Sequence, residues 1–201
     1  MDSVGWALTM PRRKAQSRRF PVLRTKRLVL REVTRKDARW YFKHFNTWEI
    51  IDGQEHVGPR NMKEAREELE LYFVDNFRDG TGIRWGVTLS GNDELIGSVG
   101  FYKWRKESSQ AEAGYDLDPR YWRMGIMTEA MTAIIRYGFG AMRLNRIEVL
   151  ISPRNRNSLR LVRRLGFKNE GVLREHYFYK GKFTDDVLFS LIKREWPPRL
   201  R

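Results

Sequence analysis

A short loop before a predicted helix has the composition of an anion-binding site. Residues 118–130 read DPRYWRMGIMTEA, in which the turn pair Asp118-Pro119 precedes a single glycine, Gly125, and then Thr128. The first N–H groups of a helix lack partners within the helix and carry partial positive charge, and a glycine lets an anion approach the backbone. The loop is therefore a candidate phosphate cradle. A lone glycine before a helix is also typical of an ordinary turn, and the pattern is neither a Walker loop nor a dinucleotide fingerprint.

A second segment, residues 152–167, presents a hydroxyl on the apolar face of a predicted helix. It reads SPRNRNSLRLVRRLGF, and a helix that begins at Asn155 and ends before Gly166 fits its spacing. Ser158 then lies on an inner face with apolar residues, and arginines occupy the other face: Leu161, Val162 and Leu165 on the first, Arg156, Arg160, Arg163 and Arg164 on the second. Two interpretations of Ser158 stay open, a hydroxyl bonded to its own helix and a hydroxyl presented to a site.

The composition is typical of a soluble globular protein with anionic partners. The chain has 201 residues, enough for one domain with a sizeable core, and its formal net charge is +14. Such a charge attracts nucleic acid, phosphorylated cofactors or acidic protein surfaces, and it disfavours a polycationic substrate. The apolar runs are too short to span a membrane, so no membrane partner is expected.

The cysteine and histidine content excludes several kinds of catalytic and metal-binding site. The chain has no cysteine, which excludes disulfides, thiolate nucleophiles and cysteine-ligated zinc. Its three histidines, His44, His56 and His176, lack the spacing of metal ligands, so no metal site is expected.

The charge distribution divides the chain into a basic extension, residues 1–23, and a single domain, residues 24–201. The extension is either a plain mobile arm or an arm that contacts RNA weakly, because its basic residues outnumber Asp2: Arg12, Arg13, Lys14, Arg18 and Arg19. Its apolar stretch is too short for a signal peptide. The absence of a targeting segment favours the cytoplasm.

The order of predicted elements indicates an α+β fold around a largely antiparallel sheet. A half-buried strand spans Leu28 to Leu30, and a capping box of Thr34 and Asp37 begins a helix that runs to about residue 45. Residues 46–61 hold two glycines and a proline and are predicted as a loop. The remaining elements are a helix over 62–78, strands at 85–89, 95–102, 112–117, 146–151, 172–179 and 183–191, and the two helices described above.

Several segments, in this order and spacing, resemble the GCN5-related N-acetyltransferase (GNAT) superfamily, and within it the RimJ/RimL branch of ribosomal-protein N-terminal acetyltransferases. They are TKRLVLREV, IGSVGF, AEAGYDLDPRYW with GIMTEA, LNRIEVLISPRNRNSLRLVRRLGF, EGVLRE and GKFTDDVLFSLIKREW, which together span residues 24–196. The resemblance implies a GNAT fold: a mixed, mostly antiparallel sheet of seven strands flanked by helices, with splayed fourth and fifth strands.

The resemblance implies that acetyl-CoA is the co-substrate and that the loop before the helix binds its pyrophosphate through backbone N–H groups. Those groups belong to Arg123, Met124, Gly125, Ile126, Met127 and Thr128. Tyr115 and Leu117 of the splayed strand would pair with the pantetheine arm, Asn155 would hydrogen-bond it, and the arginine face would help to hold the adenosine phosphates. The loop departs from the family pattern at Trp122, Arg123, Met124 and Met127, but binding by backbone groups tolerates such side-chain changes.

The resemblance also implies acetyl transfer to a primary amine, which needs a base for the amine and an acid for the departing thiolate. Ser158 matches the hydroxyl that protonates the thiolate in this branch. Glu112 and Glu175 are the candidate bases, directly or through water. Tyr177 stands where one member type has its glutamate, Glu175 lies two residues earlier on the same strand face, and Glu112 lies with Asp116 on the fourth strand. A structural salt bridge is the alternative for Glu112.

The branch suggests that the acceptor is the N-terminus of a ribosomal or other protein, and homodimers are common in it. A small amine, an amino acid or an antibiotic stays an alternative, which acidic side chains gathered at the acceptor end would favour. The candidates are Asp52, Glu55, Asp185 and Asp186. Two functions of other classes also stay open: a basic nucleic-acid-binding protein and an acyl-CoA sensor without turnover.

Overall fold

In the computed structural model, which describes residues 19–54 and 57–196, the chain forms a mixed sheet of eight strands. The strands lie in the order β1-β2-β3-β4-β5-β6-β8-β7, and all neighbours are antiparallel except β5 and β6. Their bounds are β1 Leu23–Arg24, β2 Leu28–Arg31, β3 Ile83–Leu89, β4 Leu95–Arg105, β5 Gln110–Leu117, β6 Arg146–Ile151, β7 Lys168–Tyr179 and β8 Lys182–Ile192. The predicted α+β class and GNAT fold are confirmed.

The sheet has one strand more than the seven predicted. The additional strand is β1, which pairs with the end of β2 through Leu23 opposite Leu30 and Arg24 opposite Val29. Two residues are too few to show the alternation that predicts a strand. Because β1 comes first, the fourth and fifth strands of the predicted fold are β5 and β6 here.

Six α-helices connect the strands in the described part of the chain. They are α1 Ala38–Phe45, α2 Trp48–Gln54, α3 Met62–Leu69, α4 Asn76–Asp79, α5 Ile126–Gly140 and α6 Arg156–Arg164, and a π-helical segment, Glu70–Asp75, joins α3 to α4. The capping box of Thr34 and Asp37 is present before α1. The loop predicted over residues 46–61 is wrong in its first half, where α2 lies. This helix has seven residues, which are too few to show helical periodicity in the sequence. The glycines and the proline of residues 46–61 indicated a loop instead.

The two faces of the sheet are covered by different helices. The larger hydrophobic core packs α5 and α6 on one face, with Trp85, Phe101 and Phe189 among its fully buried side chains. A second cluster, which contains Tyr41, Leu69 and other residues of the α1–α4 region, covers part of the opposite face. A cavity that opens between two strands is therefore bordered by α5 and α6 on one face of the sheet and by the α1–α4 region on the other.

Strands β5 and β6 pair only at their first residues. The parallel register runs from Gln110 opposite Arg146 to Glu112 opposite Glu148 and goes no further. From Ala113 to Leu117, β5 keeps its antiparallel partner β4 but pairs with no residue of β6. The predicted splay is confirmed, and it leaves one side of this half of β5 available to a ligand.

The predicted basic extension falls mostly on residues 1–18, outside the described residues, and stays a prediction. Its last residues pack against the domain, since Phe20 is buried in the larger core and the Pro21 carbonyl accepts a hydrogen bond from Trp85 Nε1 at 2.6 Å. None of the helices in the described ranges is long and apolar enough to cross a membrane.

Candidate active site

A cavity of about 450 Å³ opens where β5 and β6 diverge. It is bordered by the end of β5, the loop that follows, the first turn of α5, and residues of α2 and α6. All the residues predicted to bind the cofactor line it except Met124, whose side chain is exposed: Tyr115, Leu117, Arg123, Gly125, Ile126, Met127, Thr128, Asn155 and Ser158. Two segments that are remote in sequence therefore meet at one cavity.

The loop before α5 turns through two residues with left-handed backbone. Gly125, the N-cap residue of α5, has φ +75°, and Arg123 has φ +61°. Glycine adopts this conformation without the steric cost that a Cβ imposes. Glu129 N–H bonds to the Gly125 carbonyl at 3.1 Å, so the N–H groups of Ile126, Met127 and Thr128 form the helix end that faces the cavity. This arrangement can bind a phosphate.

Glu129 and Arg27 fasten this loop to the turn between β1 and β2. Glu129 accepts hydrogen bonds from Thr25 Oγ1 at 2.6 Å, from Arg27 N at 2.9 Å and from Arg27 Nε at 2.6 Å. Arg27 Nη1 in turn donates to the Met124 carbonyl at 2.9 Å. Burial would raise the pKa of Glu129, but the hydrogen bonds from Thr25 and Arg27 hold it below its ordinary value. The Arg27 guanidinium is thus a fixed cation beside the loop.

Replacing Arg27 by methionine is expected to weaken acetyl-CoA binding about tenfold. The variant loses the contact to the Met124 carbonyl and leaves the Glu129 carboxylate without its cation, so the loop is less preorganised and less attractive to phosphate. Isothermal titration calorimetry measures the affinity. Arg35→Met is the matched control, because Arg35 also forms a two-bond ion pair, with Glu70, outside the cavity lining. Equal effects of the two substitutions would contradict this role of Arg27.

Asn155 and Ser158 lie at the start of α6, on the other side of the cavity. Asn155 Oδ1 accepts the Ser158 N–H at 3.1 Å, which caps the helix and fixes the orientation of its first turn. Ser158 is half-buried and lines the cavity beside Tyr115. Burial raises the pKa of the Tyr115 hydroxyl to about 12, although the nearby Ser158 hydroxyl acts to lower it. Two hydroxyls therefore meet where the arm of a bound cofactor would run.

Glu112 lies on the opposite face of β5 from Tyr115 and Leu117. Side chains alternate along a strand, and the odd-numbered ones from Ala111 to Leu117 pack toward the α5 side. Glu112 is 6% exposed and bonds to Lys103 Nζ through Oε1 at 3.0 Å. Its Oε2 is buried and has no hydrogen-bond partner among the described residues. The predicted salt bridge is present, but it occupies only one of the two carboxylate oxygens.

Glu175 does not join the cavity. It lies in a register irregularity of β7 between Leu173 and Tyr177, with φ +52°, and its side chain is exposed. This irregularity breaks the strict alternation from which Glu175 was placed on a shared face with Tyr177. Its N–H donates to Asp185 Oδ1 at 2.8 Å. Neither predicted base lines the cavity, but Glu112 is buried at the last position where β5 and β6 pair, so it is the better placed of the two.

The predicted acidic residues differ in their partners. Asp185 binds the Glu175 backbone, and Asp186 accepts a hydrogen bond from His176 Nδ1 at 2.8 Å. Asp52 is exposed on α2, and Glu55 lies outside the described residues. No group of three histidine, aspartate or glutamate side chains that would hold a metal occurs in the described ranges.

Sequence reasoning missed a buried polar cluster centred on Asp116. This carboxylate is bonded to His44 Nε2 at 2.6 Å, to Arg84 Nη2 at 2.5 Å and to the N–H and hydroxyl of Ser98. Burial alone would raise the pKa of Asp116, but His44, Arg84 and Ser98 outweigh it and hold the pKa at about 2. Asp116 is thus a carboxylate that stays ionised, and it is a poor base although it also borders the cavity.

The comparisons with known proteins agree with this geometry. The chain matches the family model of the acetyltransferase (GNAT) domain over residues 27–168. It is 34% identical to the uncharacterized N-acetyltransferase YoaA of Bacillus subtilis, over 87% of this chain and 98% of the relative. It is 31% identical to the [ribosomal protein uS5]-alanine N-acetyltransferase of Escherichia coli, over 88% of this chain and 93% of the relative.

A solved structure extends this similarity to three dimensions. The crystal structure of a probable acetyltransferase superposes with a TM-score of 0.78 at 26% identity, over 87% of this chain and 98% of that one. The sheet, the splay and the glycine loop described above thus occur in a chain whose sequence and fold both match one family. The chain belongs to the GNAT family and is an acetyl-CoA-dependent N-acetyltransferase.

Proposed function

We propose that this enzyme acetylates the α-amino group of a protein N-terminus, with Glu112 as the base and Ser158 as the acid. The proposal is supported by the positions of these groups where β5 and β6 begin to diverge: Glu112 lies on one face of β5, and Ser158 of α6 lines the cavity on the Tyr115 side of that strand. An amine that enters from the Glu112 side would meet a thioester held on the Ser158 side. The two proton transfers would then occur at separate places.

The cavity residues fit coenzyme A in charge and in shape. The N–H groups of Ile126, Met127 and Thr128 would bind the pyrophosphate, with Arg27 beside them, and Arg160 and Arg164 would supply positive charge from α6. The side of β5 that has diverged from β6 would hydrogen-bond the amide groups of the arm. Bound acetyl-CoA supplies the activated acetyl group.

The base is needed because a primary amine is protonated at neutral pH and cannot attack a carbonyl in that form. Glu112 would accept the proton on its unpartnered Oε2, directly or through one water molecule, while Lys103 stays bonded to Oε1. The amine nitrogen then forms the bond to the acetyl carbon as the carbon–sulfur bond breaks. Holding both reactants at the splay removes much of the entropic barrier.

The acid is needed because the carbon–sulfur bond leaves a thiolate. The Ser158 hydroxyl would donate its proton to the sulfur, the nearby Tyr115 hydroxyl would replace that proton, and Tyr115 would in turn regain a proton from solvent. Tyr115 is suited to the second role because it stays protonated at neutral pH, with a pKa of about 12. After the carbon–nitrogen bond has formed, the nitrogen loses its second proton to solvent, and the proton taken by Glu112 also returns to solvent.

The ion pairs on the Glu112 face favour a singly charged amine over a polyamine. Three carboxylates there face three cations: Glu112 pairs with Lys103, Glu148 with Arg105 and Arg146, and Glu170 with Arg146. The formal charges cancel, so this group of residues offers no excess negative charge to a polycation. A peptide N-terminus carries only one amine, so it does not need an excess of negative charge at the site. The name of the E. coli relative, an acetyltransferase of the N-terminal alanine of a ribosomal protein, is consistent with such an acceptor.

A panel of acceptors tests the proposal. Thiol release is measured with acetyl-CoA and three acceptors: a peptide with a free N-terminal alanine, the same peptide with a blocked N-terminus and an internal lysine, and spermidine. We expect kcat/KM for the free N-terminus to exceed the other two at least tenfold, about 1.4 kcal/mol of discrimination. Tandem mass spectrometry locates the acetyl group. Faster turnover of spermidine, or of the lysine, would contradict the proposed acceptor.

A further inference from the structure

We propose that His44, acting through Asp116, is a positioning residue. It holds the half of β5 that has diverged from β6 in the shape required by the arm of coenzyme A. The inference rests on the proposed binding of that arm along β5. It assigns a task to the buried cluster of His44, Arg84, Ser98 and Asp116, which neither proton transfer uses. We call this group the Asp116 cluster.

Asp116 is tied to three different elements. His44 comes from α1, Arg84 from β3 and Ser98 from β4, and their four hydrogen bonds to the carboxylate measure between 2.5 and 2.9 Å. Arg84 Nε also donates to the Ser98 hydroxyl at 2.8 Å. Hydrogen bonds to a buried charge are stronger than those between neutral groups, and removing a single partner leaves the charge partly uncompensated.

The half of β5 that contains Asp116 depends on these bonds more than an ordinary strand does. Beyond Glu112 it has a strand partner on one side only, since β6 has diverged. The neighbours of Asp116 are Tyr115 and Leu117, and both line the cavity from the other face of the strand. A shift of Asp116 would therefore move both cavity residues. The backbone groups between them, which the arm would pair with, would move as well.

His44 connects this strand to a second wall of the same cavity. It is 5% exposed near the end of α1, where the Trp40 ring stacks on it at a centroid distance of 4.9 Å. The chain then turns at Thr47, whose N–H bonds to the His44 carbonyl at 3.1 Å, and enters α2. Glu49 and Ile50 of α2 line the cavity. The His44–Asp116 bond thus fixes α1, and α2 after it, relative to β5.

Calorimetry with two ligands distinguishes positioning of β5 from general structural support. One ligand is acetyl-CoA, and the other is adenosine 3′-phosphate 5′-diphosphate, the nucleotide half of coenzyme A, which has no pantetheine arm. His44→Leu removes the donor at similar volume, and His44→Gln keeps an N–H near the position of Nε2. His176→Leu is the matched control, since His176 also bonds to an aspartate but lies outside the cavity lining.

We expect His44→Leu to weaken acetyl-CoA binding about tenfold and to leave the affinity for the nucleotide unchanged, with most of the loss restored in His44→Gln. The control should bind both ligands as the wild type does. Equal weakening of both ligands, or no weakening of either, would overturn the proposal. If the leucine variant does not fold, Ser98→Ala decides: it removes one donor to Asp116 and should weaken acetyl-CoA binding alone. A wild type that binds the nucleotide but not acetyl-CoA would refute the proposed function itself.

Discussion

Substitution of Gly125 by glutamate should abolish acetyl-CoA binding, with a loss of at least 100-fold in affinity. Gly125 has φ +75°, and the only described atom within 4 Å of an added Cβ is Arg27 Nη2, at 3.6 Å, so the Cβ meets no clash. Its carboxylate would stand at the helix end proposed for the pyrophosphate. Two like charges at about 4 Å repel by about 4 kcal/mol at an effective dielectric constant of 20. This energy exceeds the roughly 2.8 kcal/mol that corresponds to a 100-fold loss of affinity.

Two further variants separate the charge from the backbone strain. Gly125→Ala adds only the cost of a Cβ at positive φ, about 1 kcal/mol, and should weaken binding about fivefold. Gly181→Glu places the same residue at nearly the same φ, +77°, in the open turn between β7 and β8 and should leave binding unchanged. Wild-type affinity in a folded Gly125→Glu protein would show that the loop is an ordinary turn, not a phosphate cradle.

Substitution of Glu112 by glutamine should lower kcat about 100- to 1000-fold while the affinity for acetyl-CoA stays within about twofold of the wild type. The amide keeps the size of the side chain and an oxygen for Lys103, but it cannot accept the amine proton. Because Glu112 lies on the face of β5 opposite the cavity, its loss should not disturb the cofactor residues. Steady-state kinetics with the N-terminal peptide and calorimetry with acetyl-CoA measure the two quantities.

Glu148→Gln is the matched control for this prediction. Glu148 is the register partner of Glu112 across β5 and β6, and it is also partly enclosed by ion pairs. Its two cations, Arg105 and Arg146, belong to the ion pairs on the Glu112 face. Its substitution therefore also removes one negative charge from that face, but it leaves the proposed base in place. A similar fall of kcat in both variants would indicate a role of the network as a whole. An unchanged kcat in Glu112→Gln would rule out Glu112 as the base.

The parts of the site that were predicted from the sequence are those encoded by local pattern. Gly125 and Thr128 mark a helix start, and Ser158 is placed by helical spacing from Asn155, so each position follows from residues within one or two turns. The resemblance to GNAT proteins then joined these two segments, which periodicity alone could not do. The splay of β5 and β6 likewise came from the resemblance, because no residue of either strand marks where their pairing ends.

The parts that were missed depend on contacts between distant residues. His44 and Asp116 are 72 positions apart, and nothing near His44 indicates its partner. A usable signal was present in Asp116 itself, a charged residue between Tyr115 and Leu117 within a predicted strand, which is typical of a buried pair. The orientation of Glu175 could not be predicted for a different reason, since an irregularity in β7 changes the direction of side chains without changing the sequence pattern.

The most direct test of the whole account is a crystal structure of this enzyme with coenzyme A. We expect pyrophosphate oxygens about 3 Å from the N–H groups of Ile126, Met127 and Thr128, a pantetheine arm between β5 and β6, and the sulfur near Ser158. Glu112 should lie across the strand from that sulfur. A cofactor bound elsewhere, or phosphates held only by arginine side chains of α6 with the loop empty, would contradict it.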